Sequence, residues 1–175
     1  MGFQVGIGYD IHRRAAGRPL VLGGVTIESE WGLDGHSDAD VLLHAIGDAL
    51  LGAVALGDLG KHFPPGEPRW KDVSSVELLR LIRAMLDGRG TRIENVDATL
   101  MCEAPMIAPH REAMCVNIAE ALKIPVGCVS VKATTNEGLG AVGRREGMAA
   151  MAVALVEVPA TTGDRPRGLT ELELP

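Results

Sequence analysis

Phe3-Gln4-Val5-Gly6-Ile7-Gly8-Tyr9-Asp10-Ile11-His12 is the stretch from which the rest of the 175-residue chain is read. Apolar Phe3, Val5, Ile7 and Tyr9 alternate with Gln4, Gly6, Gly8 and Asp10. A period of two is the mark of a strand. The alternation predicts Phe3, Val5, Ile7 and Tyr9 against the core, with Asp10 and His12 projecting together from the other side near the strand's end. Working outward, Leu20-Val21-Leu22 and Val25-Thr26-Ile27 flank Gly23-Gly24, a two-residue hairpin signal. Ser37, three residues before Asp40, opens a predicted helix carrying Val41, Leu42, Ala45, Ile46, Ala49 and Leu50, with Gly57 placed to stop it. A second helix runs from Ser74, with Glu77 completing a capping box, through Leu78, Leu79, Ile82 and Leu86 to Gly88. Ile93–Cys102 reads as a strand, Pro109 starts a third helix with Met114, Ile118 and Leu122, and Val129–Ala133 is a further strand. Gly147–Val158 reads two ways. Its alanines favour helix, while a continuous apolar run between glycines and a proline fits a strand buried on both faces. Strands and helices in this mixed order predict an α+β single domain, a mixed β-sheet with three main helices packed as a layer. From Pro159 the composition shifts to Pro, Gly, Thr and charge, so residues 1–158 read as the domain and 159–175 as a loosely ordered tail.

Composition narrows the function. Apolar residues are 46%, enough for a sizeable core, and the formal net charge is −6. Two Trp, one Tyr and two Phe leave few rings for base stacking, so neither charge nor aromatics suit a nucleic-acid binder. No apolar run approaches the ~20 residues of a membrane span, and the start lacks the charged and apolar regions of a secretory signal. Cys102, Cys115 and Cys128 are odd in number and have no Cys-x-x-Cys spacing, which reads as reduced thiols in a cytoplasmic protein.

Viewed alone, Asp10 and His12 read as a surface hydrogen bond. His44 changes the weighing, because it sits on an otherwise apolar helix with Asp40 four residues before and Asp48 four after, one polar stripe. Asp, His and His make a plausible set of oxygen and nitrogen ligands, and three protein ligands with one open position is the pattern of a catalytic zinc. Asp40 or Asp48 would then orient an imidazole. Ahead of the helix, His36-Ser37 reads either as a simple cap or as an anion site, with free N–H groups at Ser37–Ala39 facing a phosphate. Later, Gly138 to Gly143 matches G-x-G-x-x-G. The dinucleotide reading is rejected, since the preceding strand is late in the chain and ends four polar residues before the glycines. Thr134, Thr135 and Glu137 in that loop still offer oxygens to a hard cation such as Mg²⁺ beside phosphates.

Taken together these residues resemble the 2-C-methyl-D-erythritol 2,4-cyclodiphosphate synthase family over roughly residues 3–157. The resemblance rests on Gly8-Tyr9-Asp10-Ile11-His12-Arg13, Gly35-His36-Ser37-Asp38-Ala39-Asp40-Val41 with His44 and Asp48 in register, and Ala55–Gly60 leading to Phe63-Pro64. Ala104-Pro105, Lys132-Ala133-Thr134-Thr135, and Gly143-Arg144 with Glu146-Gly147 complete it. It implies a homotrimer with sites between subunits, and zinc on Asp10, His12 and His44. It also implies Mg²⁺ or Mn²⁺ on Glu137, and a substrate carrying a cytidine diphosphate, cyclised with release of CMP. His36 and Thr135 match positions that stabilise the transition state. Asp10, His12, His36, Ser37, Asp58, Leu59, Gly60, Phe63 and Glu67 match or stand near substrate contacts. Cys102, Ala104, Pro105, Met106, Ile107 and Ala108 match the cytidine pocket, joined by Ala133, Thr134, Thr135, Asn136, Glu137 and Arg144. An isoprenoid diphosphate in the central cavity near Arg144 is a further implied partner.

The chain departs from the family pattern at Pro65-Gly66, where Asp is usual, and at Asn136, Gly138, Met106 and Ala141. None of these is a predicted metal ligand. Two other readings remain: a zinc-dependent hydrolase of another phosphoester, against which stands the lack of an evident general base, and a non-catalytic trimeric binder of isoprenoid diphosphates through Arg144 and Glu146.

Overall fold

In the computed structural model, which describes residues 1–160, two glycines set how the first strand meets the first helix. β1 (Gly2–Ala16) and α1 (Val41–Ala53) approach so closely that a Cβ on Gly6 would lie 1.9 Å from the Ala49 carbonyl oxygen, and one on Gly8 would lie 2.0 Å from that of Ala45. Contact at backbone distance is possible only where the strand has no side chain. The helix-facing side of β1 is therefore the Gly6–Gly8–Asp10–His12 side. This corrects the sequence expectation: Phe3, Val5 and Ile7 are each 66% exposed and Tyr9 is 53% exposed, on the face turned away from the core.

The remaining elements follow from their patterns. β2 (Leu20–Leu22) and β3 (Val25–Ile27) form the expected hairpin, with Gly23 and Gly24 at φ +59° and +70°, as a two-residue turn of this hand requires. β4 (Trp31–Leu33), which sequence reasoning missed, is only three residues and pairs with the end of β1. α1 begins at Val41 rather than at Ser37, because the Asp40 side chain is the cap, accepting from the Leu43 N–H. After it comes a single turn, α2 (Leu59–His62), then α3 (Ser75–Asp87), capped by Ser74 as expected. β5 (Arg92–Met101), α4 (Arg111–Leu122) and β6 (Val129–Thr134) form a parallel crossover. α5 (Gly140–Gly143) is one turn inside the glycine-rich stretch, where a Cβ on Gly143 would lie 2.1 Å from the Gly138 carbonyl carbon. These are turn glycines and not a phosphate loop opening a long helix.

β7 (Gly147–Val158) settles the ambiguous segment as a strand. Met148, Ala150, Ala152, Ala154 and Val156 are buried, but Met151 and Val153 are 42% and 40% exposed, so within the chain it is covered on one face and not on both. Among the described residues the main sheet runs β4-β1-β7-β5-β6, antiparallel except for β5 with β6. α1 lies across β1 and β7, α3 packs on α1 and α4, and α4 on β6. The expected α+β layer of three main helices on a mixed sheet is observed. No helix among the described residues is long and apolar enough to cross a membrane. The expected tail, 159–175, lies outside the described residues from 161 onward.

Candidate active site

Where Gly6 and Gly8 end, Asp10 and His12 continue the same side of β1 and reach the first turn of α1. There His44 stands on the helix's polar stripe. Asp10 Oδ2 lies 2.8 Å from His12 Nε2 and 3.0 Å from His44 Nδ1, and the two ring nitrogens are 3.0 Å apart. Among the described residues this is the one group of three His, Cys, Asp or Glu whose ligand atoms lie within 4.8 Å of one another. His12 Nδ1 donates to the Asp34 carbonyl oxygen at 2.5 Å. A carbonyl only accepts, so the hydrogen sits on Nδ1 and the Nε2 lone pair points at Asp10. His44 Nε2 meets the hydroxyls of Ser37 and Ser75, each at 3.0 Å, with Nδ1 toward Asp10. One carboxylate oxygen and two imidazole nitrogens converging at this spacing need positive charge between them. The set fits zinc with an open position.

The electrostatics agree. Burial acts against charge on Asp10, but hydrogen bonds and charge from His12 and His44 outweigh it and hold its carboxyl well below the usual range. Burial also pulls the His12 imidazole down, and its bond to Asp10 together with the Asp34 contact more than offsets this, raising it above 6.5. A metal ion bound here would have to compete with a proton on His12. Zinc affinity is expected to fall as pH is lowered through that raised imidazole value, by up to about tenfold per pH unit per displaced proton. Chelator competition between pH 5.5 and 8 measures this, and a flat profile contradicts it.

The triad opens on a cavity of about 350 Å³ lined also by His36, Ser37, Asp48, Leu59, Gly60, Phe63, Pro65, Trp70, Val73 and Leu78. Arg18 fixes the loop that carries His36, donating to the Gly35 carbonyl at 2.6 Å and the Ser37 carbonyl at 2.5 Å. Two of the three N–H groups expected to face an anion at Ser37–Ala39 are not free to do so. The N–H groups of Asp38, Ala39 and Asp40 go to Val73 O, Ser37 Oγ and Asp38 Oδ1. Nor do Asp40 and Asp48 orient the imidazoles. Asp40 is fully buried, accepts from Gly24 and Leu43, and has its carboxyl pushed up to about 6 by burial. Asp48 reaches the cavity but accepts from Leu59 N–H, and burial raises its carboxyl. The orienting groups are the Asp34 carbonyl, Ser37 and Ser75.

A second cavity, about 520 Å³, is lined by Cys102, Glu103, Ala104, Pro105, Met106, Ile107, Ala108, Ala133, Thr134 and Thr135. The Ala104–Pro105 peptide here is cis. Burial, with the Glu103 charge, pushes the Cys102 thiol up to about 11, so it is no nucleophile. Thr135 Oγ1 donates to Glu137 at 2.9 Å, and Glu103 accepts from Asn136 N–H at 2.8 Å. The two cavities share no lining residue, so His36 and Thr135 do not meet within one chain. Asp58, Glu67, Asn136, Glu137 and Arg144 line neither. Asp58 caps α2, Glu67 pairs with Arg69, and Arg144 pairs with Glu146. Sequence reasoning missed Arg18, Ser75 and Glu103, which act from separations of 17 to 35 residues and carry no local signal.

Residues 3–157 match the YgbB family. The chain belongs to that family. YgbB relatives include the 2-C-methyl-D-erythritol 2,4-cyclodiphosphate synthase of Gloeobacter violaceus, 56% identical over 158 residues, 89% of this chain and 97% of that protein. The enzyme of the same name from Desulfosudis oleivorans is 57% identical over 153 residues, 87% of this chain and 91% of its own. Among solved structures, a CDP complex of IspF from Plasmodium falciparum superposes with a TM-score of 0.78 at 33% identity, covering 90% of this chain and 97% of that one. The bifunctional IspDF of Campylobacter jejuni gives a TM-score of 0.86 at 38% identity, covering 90% of this YgbB chain but 42% of the larger one.

Proposed function

We propose that this YgbB member cyclises 4-diphosphocytidyl-2-C-methyl-D-erythritol 2-phosphate to 2-C-methyl-D-erythritol 2,4-cyclodiphosphate, releasing CMP. The observation that carries the reading is the meeting of Asp10, His12 and His44 in the lining of a cavity that also presents polar and apolar side chains. An oxygen of the substrate's 2-phosphate attacks the β-phosphorus. The bond from that phosphorus to the bridging oxygen breaks, and the electron pair leaves with CMP. The nucleophile is already an anion inside the substrate, so no general base is needed. The chain's task is alignment of two phosphates and neutralisation of their charge.

Arg18 holds the carbonyls of Gly35 and Ser37, on either side of His36, so the His36 and Ser37 side chains face the phosphates from a fixed loop. Leu59, Phe63, Trp70 and Leu78 offer an apolar wall to the methylerythritol carbons. Zinc on Asp10, His12 and His44, with Mg²⁺ or Mn²⁺ on Glu137, would supply Lewis-acid polarisation and charge neutralisation when bound. The Cys102–Ala108 segment takes the cytidine, largely through backbone groups, and Ala133–Asn136 borders the phosphates.

The active unit is a homotrimer of the 1–158 domain, with each site shared by two copies. Two features support this. The exposed face of β1 and β7, with Phe3, Val5, Ile7, Tyr9, Ile11, Met151 and Val153, is a contiguous apolar surface of the kind that marks an interface. The separate cavities of one chain also leave His36 and Thr135 needing a neighbour to meet. An isoprenoid diphosphate on the trimer axis would lie along this face, with Arg144 near its end. The three free thiols suit a reducing compartment such as the cytoplasm.

The test is to mix purified protein, substrate and Mg²⁺ and follow CMP and phosphorus products by ³¹P NMR. Equimolar CMP and cyclic diphosphate are expected. A linear hydrolysis product would favour the zinc hydrolase, and no turnover by folded protein would overturn the reading. Sedimentation of the same sample should give three times the 18.4 kDa chain mass.

A further inference from the structure

We propose that Ser75, held by Asp38, is a positioning residue that keeps the His44 hydrogen on Nε2 and so leaves Nδ1 open to a metal. This rests on the reading of Asp10, His12 and His44 as a metal triad. Ser75 is the first residue of α3, 31 positions from His44, and only 1% exposed. Its hydroxyl donates to Asp38 Oδ1 at 2.5 Å, and its backbone N–H donates to Asp38 Oδ2 at 2.9 Å. The carboxylate only accepts, so the Ser75 hydrogen is committed to it and the hydroxyl can only accept from His44 Nε2, 3.0 Å away. Ser37 Oγ, also 3.0 Å from that nitrogen, already accepts from Ala39 N–H and cannot by itself fix the direction, because its own hydrogen is free to rotate.

Ser74 already caps α3 through its side chain, so the helix start does not require the Ser75 hydroxyl. A buried hydroxyl bridging a carboxylate and an imidazole is explained instead by what it does to the imidazole. Groups that direct the outer nitrogen of a ligating histidine typically change metal affinity about 10–100-fold.

The polarity of the relay makes it testable. In Asp38→Asn, the Ser75 backbone N–H at 2.9 Å holds the amide oxygen against the longer Asp40 N–H contact at 3.3 Å on the other oxygen position, which turns the NH₂ toward Ser75 Oγ. The hydroxyl hydrogen, released from the carboxylate, is then free to point at His44 Nε2, which favours the imidazole hydrogen on Nδ1 and so closes the ligand position. Ser75→Ala removes the wrongly aimed donor and leaves Ser37 to accept.

Zinc affinity is measured by chelator competition on the full-length chain, with metal-free unfolding midpoints recorded alongside. Asp38→Asn is expected to weaken zinc about 10–100-fold, Ser75→Ala by less, and the double variant should bind more tightly than Asp38→Asn alone. A merely structural role predicts the opposite, a double variant as weak as or weaker than either single one, and that result overturns the proposal. So does an Asp38→Asn protein that binds zinc as the unaltered protein does. If the unaltered protein itself binds no zinc, the triad reading falls and this inference with it, which separates the two failures.

Discussion

His44→Ala is expected to abolish zinc binding and to lower CMP release on the order of a thousandfold or more, since a Lewis-acid metal is worth several kcal/mol to such a transition state. The substitution removes one of three donors that converge within 3.0 Å, leaving a carboxylate oxygen and one nitrogen, too few to hold the ion in place. The fold should survive. Ser37 and Ser75 keep their other partners, Ala39 N–H and Asp38, so no buried hydroxyl is orphaned. Alanine is also the better helix former inside α1. Zinc analysis and product assay read the loss, and metal-free unfolding midpoints of the two proteins should agree within a few degrees. A His44→Ala protein with full turnover would show that the ligands lie elsewhere.

What made this site readable in the sequence was chemistry at short range. Asp10 and His12 share a side because a strand has period two, and His44 stands out because every residue around it on α1 is apolar or small apart from Asp40 and Asp48. What the sequence could not supply was the orienting layer. Asp40 and Asp48 have the right spacing to support His44 on a helix beginning at Ser37, but the helix begins at Val41 and Asp40 is consumed by its cap. The hydroxyl that turns His44 comes from the start of α3, and the carbonyl that turns His12 belongs to Asp34. Tertiary hydrogen bonds of this kind leave no periodicity. The second cavity was legible only through family resemblance, since its walls are largely backbone and small side chains.

The fold was legible element by element, and the one error of substance concerns direction. Alternation along β1 says that its two faces differ without saying which one the chain itself covers. Burying the larger side chains is the natural expectation, but here the Phe3–Tyr9 face is exposed within the chain, and the glycine face receives α1. The alanine-rich β7 read two ways for the related reason that its small inward residues, Ala150, Ala152 and Ala154, favour helix by propensity. They are needed because α1 lies directly on them.

Backbone-distance packing at the glycine face of β1 makes a methyl there costly to stability. In Gly8→Ala the new methyl would sit 2.0 Å from the Ala45 carbonyl oxygen and 2.7 Å from Ala49 N, backbone atoms that cannot rotate aside. The strand cannot retreat either, being paired along its length with β7. α1 must therefore lift, and with it Leu42, Ile46 and Leu50, all fully buried. Overpacking usually costs about 1–3 kcal/mol when side chains can adjust. Here they cannot, so a drop in unfolding midpoint of about 10 °C or more is expected, or failure to fold, against the ~2–4 °C per kcal/mol typical of this size. Gly52→Ala is the control on the same helix. Its Cβ would meet nothing nearer than the Ile7 carbonyl at 3.9 Å. Replacing a helical glycine there should be neutral or stabilising by about 0.5–1 kcal/mol. Because lifting α1 also draws His44 from Asp10 and His12, any Gly8→Ala protein that does fold should bind zinc more weakly while Gly52→Ala binds it normally. Equal melting temperatures and equal zinc affinities for the two variants would mean that the strand and helix do not touch at backbone distance.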